Sequence, residues 1–353
     1  MLNKLTAHQK EHKQMNAVKK IALIGTALLS LLACCDCEQE RESSSQTAPR
    51  ASASADTVRD IEQTGHTAAV PAEYFKTAEH QGEVVRIEYE SRDYVRDESA
   101  VTKEAYVYLP CGYDENDTDT RYDIVYLMHG GGGHAGEFFE HDSIKQLIDN
   151  MIEKGDIEPT IFVSPSFYND NSSDDHDSSV SELRVFYRDF EEHLMPAVEG
   201  RFRTYAESTS SDDLKASRHH RAFGGFSLGS VTTWMMFCYS YDYIEYFLPM
   251  SGSCWYYGGY GDFQTEKNVD FIEQLVNDND LGKRGYFIYQ AVGTNDTLKE
   301  QTVDMAKEML SRSDVFTPDQ YVFYQKESGQ HDYYSAVEFM YNALPLFFSE
   351  ADR

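Results

Sequence analysis

Beyond about residue 74 the chain alternates two kinds of hydrophobic pattern. "VVRIEYES" and "EAYVYLP" read as an opening antiparallel pair of strands. "YDIVYLMHG", "TIFVSPS", "HRAFGGFS", "YIEYFLPMSG", "RGYFIYQAVG" and "QYVFYQ" are short apolar or aromatic runs, most of them closed by Gly or Ser. Unbroken runs of that length fit strands buried on both faces of a parallel sheet. Between them, "DSIKQLIDNMIEKG", "SELRVFYRDFEEHLMPAVEGRF", "VDFIEQLVNDNDLG" and "TVDMAKEMLSRS" repeat their apolar residues at helical intervals. Strands followed by repeated β-α units predict a doubly wound α/β domain, a mostly parallel sheet with helices on both faces. Its functional groups should lie on loops at the carboxyl ends of the strands.

The first 73 residues follow neither pattern. "MNAVKKIALIGTALLSLLAC" places two lysines before an apolar run from Ile21 to Ala33, too short to span a bilayer comfortably, and then Cys34. That is the layout of a secretory signal, and residues 31–34, Leu-Leu-Ala-Cys, resemble the lipobox of bacterial lipoproteins. The resemblance implies lipidation of Cys34, the alternative being an ordinary signal peptide with incidental cysteines. Residues 1–14 read as upstream sequence ahead of Met15 or as a long n-region. Residues 35–73, rich in Ser, Ala, Thr and charge, read as a disordered linker, which leaves 74–353 as the folded domain. The expected location is the cell envelope, on its periplasmic or extracellular face, with membrane contact through the lipid alone.

Composition narrows the partners. Of the 353 residues 41% are hydrophobic, enough for one large domain with a well-buried core. The formal net charge of −29 would repel nucleic acid and anionic lipid surfaces and suits a neutral substrate. Three of the six cysteines cluster near residue 34, leaving Cys111, Cys238 and Cys254, and no disulfide framework is expected. The acidic stretch "YNDNSSDDHDSSVSE" lacks the spacing of an EF-hand for calcium and reads as a solvated loop.

In "AFGGFSLGSVTTW", Gly225, Ser227 and Gly229 form Gly-x-Ser-x-Gly. A random chain of this length shows that spacing about one time in ten, so the spacing is weak alone. Its context is stronger: a short strand precedes it and a helix follows, as a sharp turn presenting a nucleophilic serine requires. The bland alternative is a serine N-cap in a glycine-rich turn. In "YLMHGGGGHAGEFF", His129 precedes four glycines, and a loop without side chains lets backbone N–H groups approach a developing oxyanion. Gly131 and Leu228 are the expected donors, and His129 is expected to be structural. The run lacks the Gly-Lys-Ser/Thr of a phosphate loop. His331 is the only histidine after Ser227 and so the candidate base. Asp296, just past a strand end, is the candidate acid, whereas Asp278, Asp280 and Asp304 fall on a presumed helix or its end.

From about Glu88 onward the chain resembles the feruloyl esterase and esterase D group of α/β-hydrolases, especially the ferulic-acid esterase domains of bacterial xylan-degrading enzymes. The matching stretches are "YLMHGGGG", "HRAFGGFSLGSVTTW", "YIEYFLPMSGSCWY", "GTND" and "ALPLFF". The resemblance implies an α/β-hydrolase fold, Ser227 as nucleophile, Asp296 as acid and His331 as base, with Trp255 near the acyl pocket or simply in the core. It implies a serine carboxylesterase of feruloyl or related hydroxycinnamoyl esters on plant polysaccharide, needing no metal or organic cofactor. Its partner would be a small-molecule or oligosaccharide ester. Acetylated xylan and short aryl esters are the alternative substrates, and a non-catalytic glycan-binding lipoprotein the alternative class. Leu228 departs from the group, which commonly has methionine there, as do the four glycines. Both changes preserve backbone donation while bearing on acyl preference.

Overall fold

Eight strands form one sheet in the order β1-β2-β4-β3-β5-β6-β7-β8. They are β1 (Glu83–Arg92), β2 (Ala100–Leu109), β3 (Asp123–Met128), β4 (Thr160–Ser164), β5 (Arg221–Phe226), β6 (Tyr246–Met250), β7 (Phe287–Gly293) and β8 (Tyr321–Lys326). The computed structural model describes residues 68–169 and 176–348, the side chains of 176–178 excepted. Cys34, the signal segment, most of the linker and the centre of the acidic stretch lie outside the described residues. β1 pairs antiparallel with β2 and β2 with β4; β3 pairs with β4 and β5, and β5 through β8 pair with their neighbours, all in parallel. The mostly parallel α/β architecture is the one the hydrophobic pattern predicts.

The continuous apolar runs have a physical cause. Every residue of β3, β4, β5 and β6 is buried, because helices cover both faces. The two-residue period of a strand divides β3 between two cores: Ile124, Tyr126 and Met128 enter one, Val125 and Leu127 the other. The second core is closed by α1 (Asp142–Lys154) through Ile144, Leu147, Ile148 and Met151. The first is closed by α2 (His176–Asp189), α3 (Leu228–Ser240), α4 (Thr265–Asp278) and α5 (Lys299–Leu310), for instance through Phe186, Trp234, Ile272 and Met305. α6 (Tyr333–Ala343) returns to the second with Val337, Phe339 and Met340.

The stretch read as one helix from Ser181 to Phe202 is interrupted. A π-helical turn over Phe190–Leu194 follows α2 and leads into the short helix Met195–Glu199. The turn buries Phe190 and Leu194 and sets Glu191 against Ser240, whose hydroxyl donates to it at 2.7 Å. Glu199, beyond it, grips Arg221 at the start of β5 through two bonds of 2.7 Å, while Tyr126 donates to the same carboxylate at 3.0 Å. Both charged side chains are essentially inaccessible, and this clamp anchors the amino end of the strand that carries Ser227.

One boundary needs correction. The linker was expected to run to residue 73, yet Ala68 exchanges two hydrogen bonds with the Asn342 side chain, at 2.8 and 3.0 Å, and Val70 packs on the second core. These contacts dock the short, mostly apolar segment Ala-Ala-Val-Pro-Ala-Glu on the domain, so the fold includes residues from 68 onward.

Candidate active site

Because β5 to β8 run in parallel, their carboxyl ends lie on one side of the sheet, and the predicted site residues follow those ends. Ser227 comes directly after β5, Asp296 three residues after β7, and His331 five residues after β8. Ser227 has φ 60° and ψ −117°, a conformation that side chains rarely adopt. Its N–H donates to Met250 O at 3.0 Å, tying the turn to β6. The flanking glycines are demanded by contact: a Cβ on Gly225 would stand 2.5 Å from Gly229 O, and one on Gly229 would stand 2.0 Å from Met128 O. The serine N-cap alternative fails, since Ser227 makes no side-chain cap hydrogen bond to α3.

Instead the Ser227 Oγ lies 2.9 Å from His331 Nε2. His331 Nδ1 lies 2.9 and 3.1 Å from the two carboxylate oxygens of Asp296. The Asp296 side chain is wholly buried, and its Oδ1 also accepts the Leu298 N–H at 2.7 Å. With Asp296 ionised, Nδ1 carries the ring proton, so Nε2 faces the hydroxyl as an acceptor. Phe226 lies against the imidazole at a centroid distance of 4.7 Å. The two loops are locked together: Asn295 N–H donates to Gly329 O at 2.9 Å, and a Cβ on Gly293 would stand 2.1 Å from that same oxygen. Asp278 ends α4 and Asp304 lies within α5, as the pattern suggests, and His331 bonds to neither.

The glycine loop lies on the serine. A Cβ on Gly130 would come 3.2 Å from Ser227 Cβ, and one on Gly131 would come 3.1 Å from Leu228 Cδ1. Leu228 opens α3, so its N–H has no partner inside the helix. Gly132 N–H donates to Tyr168 Oη at 3.0 Å and Gly133 N–H to Gly130 O at 3.3 Å, while Gly131 N–H makes no hydrogen bond among the described residues. Two uncommitted amides beside a serine hydroxyl form the electrostatic arrangement that stabilises a tetrahedral oxyanion. His129 is buried beneath them, with Nδ1 donating to Gly130 O at 2.7 Å and Nε2 accepting from Ser166 Oγ at 2.8 Å. Burial lowers its pKa to about 4, so it remains neutral near pH 7 and props the loop.

Trp255 is 1% exposed, and its indole N–H donates to Gln301 Oε1 at 2.9 Å, with Ser253 Oγ donating to the same oxygen at 2.7 Å. Its polar edge is thus committed within the protein, and its ring belongs to the same core as Leu228. Sequence reasoning missed Ser166 and Tyr168, which hold the glycine loop. Their signal was position, as polar and aromatic residues directly after the carboxyl end of β4. Among the described residues no cluster of three His, Cys, Asp or Glu side chains is placed to hold a metal ion.

The family model Esterase matches residues 102–341. Endo-1,4-beta-xylanase Y of Acetivibrio thermocellus is 34% identical over 255 residues, covering 70% of this chain and 22% of that protein. An endo-1,4-beta-xylanase/feruloyl esterase of Xylanibacter ruminicola is 28% identical over 133 residues, covering 36% of this chain and 16% of that protein. The chain therefore spans about a fifth of the length of these curated relatives. Among solved structures, the feruloyl esterase module from Clostridium thermocellum complexed with sinapinate is 30% identical with a TM-score of 0.68, covering 83% of this chain and 97% of that one. A structure of FAE is 32% identical with a TM-score of 0.69, covering 82% and 96%. The family match over residues 102–341 and the likeness to these esterase structures show that the chain belongs to the esterase family of carboxylic ester hydrolases, as a feruloyl esterase-like member with the α/β-hydrolase fold.

Proposed function

We propose that this chain is an exported serine esterase that hydrolyses feruloyl or related hydroxycinnamoyl esters of plant cell-wall polysaccharide. The observation that carries the mechanism is the bridge that His331 makes between Ser227 and buried Asp296. His331 takes the Ser227 proton as the oxygen attacks the ester carbonyl, and Asp296 stabilises the imidazolium. The Gly131 and Leu228 amides hold the oxyanion. His331 then passes the proton to the departing alcohol, leaving an acyl-serine. Water, deprotonated by the same imidazole, attacks that acyl group, and the proton returns to Ser227 as the acid leaves. Trp255 lies behind the acyl group and shapes its pocket through packing.

The choice of acyl group rests on the xylanase and feruloyl esterase relatives, and the polysaccharide on the same names. Export and lipid anchoring rest on residues 15–34, with Cys34 as the lipidated residue and the stretch after it as a tether that holds the domain, beginning by residue 68, clear of the membrane. A substrate panel tests the reading: methyl ferulate, methyl p-coumarate, acetylated xylan and short-chain nitrophenyl esters. The hydroxycinnamoyl esters should give the highest kcat/KM. Preference for acetylated xylan would move the reading to an acetyl esterase, and no turnover of any ester would sink it.

A further inference from the structure

The loop between β6 and α4, residues 251–264, leaves the sheet on the same side as Ser227, since β5 and β6 are parallel and end together at Phe226 and Met250. Two of the few exposed large aromatic residues of the described chain stand on it: Tyr260 is 69% exposed and Tyr257 43%. Exposed rings on a loose loop would need no explanation. This loop is braced.

Tyr260 occupies the tip of a tight turn in which Gly259 N–H donates to Asp262 O at 2.9 Å and Asp262 N–H to Gly259 O at 3.0 Å, with Gly261 taking the positive φ of 82°. Below it, fully buried Asn268 accepts the Tyr257 N–H at 2.8 Å and donates to Tyr257 O at 3.1 Å and Phe263 O at 2.7 Å. Arg184 donates to Trp255 O at 2.9 Å and to Gly258 O. The Tyr260 ring meets Trp255 and Phe263 edge-on, each at 6.3 Å between centroids. The fold thus devotes a buried asparagine and a half-buried arginine to holding this turn while its tyrosines are exposed. A ring fixed in that way loses little conformational freedom when something stacks on it.

We propose that Tyr260, with Tyr257, is a stacking platform for the uncharged pyranose chain of the polysaccharide that carries the ester. This rests on the substrate class proposed above. A sugar ring offers an apolar C–H face to an aromatic ring and hydroxyls to a phenol, which is the pairing these tyrosines provide. Asp262 beside Tyr260, and the net charge of −29, disfavour a polyuronate or other polyanion. The ester-bearing side chain would enter the Ser227 site while the backbone of the polymer rests on the loop.

The test separates polymer from small ester. Tyr260→Ala and the Tyr257→Ala/Tyr260→Ala double variant should raise KM on feruloylated arabinoxylan oligosaccharides by about five-fold per ring. kcat/KM for methyl ferulate should stay within about two-fold, and Tyr260→Trp should keep the affinity for the polymer. An unchanged KM on the oligosaccharides would overturn the platform. Equal losses on both substrates would overturn it too, by showing that the loop only supports Trp255. Affinity electrophoresis of the Ser227→Ala protein in de-esterified xylan measures the platform without catalysis: retardation should be present, weaken with Tyr260→Ala and be absent in polygalacturonate. Xylan binding that depends on Tyr260 in a protein without turnover of any hydroxycinnamoyl ester would sink the proposed activity and leave the platform standing. Turnover of methyl ferulate with no xylan retardation would do the reverse.

Discussion

Asp296 presents both carboxylate oxygens to a single nitrogen of His331, at 2.9 and 3.1 Å, from a position that solvent does not reach. That contact fixes which ring nitrogen carries the proton. Asp296→Asn should leave folding intact and lower kcat by about 10²- to 10⁴-fold, because the amide no longer stabilises the imidazolium or selects the tautomer. Ser227→Ala and His331→Ala should each cost more, and the double variant little more than either single one, since the residues act as one unit. Steady-state kinetics on methyl ferulate decides this; multiplicative losses would contradict it.

Gly229→Ala tests the turn around Ser227. The new methyl would sit 2.0 Å from Met128 O, a backbone atom that cannot swing away. A loss of about 3 kcal/mol or more is expected, with activity falling alongside. Gly282→Ala is the control, because its Cβ would meet only the Gln320 side chain at 3.5 Å and should be neutral or mildly stabilising. Urea titration reads both, and equal midpoints would show that the close approach of Gly229 is not needed.

Burial in the π-helical turn raises the Glu191 carboxyl from its usual range to about 7, against a smaller opposing effect of the Ser240 hydroxyl. A folded-state pKa above the unfolded one means that this group favours folding most below about pH 4.5 and loses that contribution as pH rises through 7. Glu191→Gln keeps the acceptor for Ser240 and removes the ionisation. It should leave the Tm unchanged at pH 4.5 and raise stability by about 1–3 kcal/mol at pH 8. Thermal melts across that range check the sign, and a variant less stable at pH 8 than the parent would refute it.

A chain shortened to begin at Tyr74 loses both bonds between Ala68 and Asn342, and the Val70 contact with them. Its Tm should fall by about 2–8 °C relative to a chain beginning at residue 60, while kcat on small esters is retained. Equal melting temperatures would mean that the docked segment contributes nothing.

Cys34→Ser addresses location. Two or three acyl chains on Cys34 would anchor the enzyme stably, since each buried CH₂ contributes about 0.8 kcal/mol and one chain alone is marginal. The variant should leave the membrane fraction or stall in processing. Wild-type protein found wholly soluble, with Cys34 unmodified by mass spectrometry, would rule out the anchor.

The strands and the serine turn were legible because single residues declare them. β3 to β6 are apolar along their whole length since both faces are covered, and Gly225 and Gly229 are glycines since backbone crowds them. His331 was legible as the only histidine after Ser227, and Asp296 as an acid just past a strand end. Other contacts have no such mark. The grip of Tyr168 on Gly132 spans 36 residues, that of Glu199 on Arg221 spans 22, and that of Asn342 on Ala68 spans 274. Each is a partnership between polar groups with no periodicity, so only the folded chain reveals it. The π-helical turn was hidden for a related reason: one extra residue per turn shifts the apolar phase without breaking the amphipathic pattern.

The placement of the site across the sheet also sets when in its life the protein acquires activity. Ser227 follows the end of β5 and His331 lies in the loop after β8, three strand spacings or about 14 Å across the sheet. The loop after β8 must reach back over β7 and β6 to complete the trio. No part of the chain that ends before β8 contains a working site, and neither does a chain drawn out as a thread. A protein exported in that extended state would therefore cross the membrane catalytically silent, and esters on the near side would be safe from it. The trio that we propose for hydrolysis is complete only when the last strand has docked.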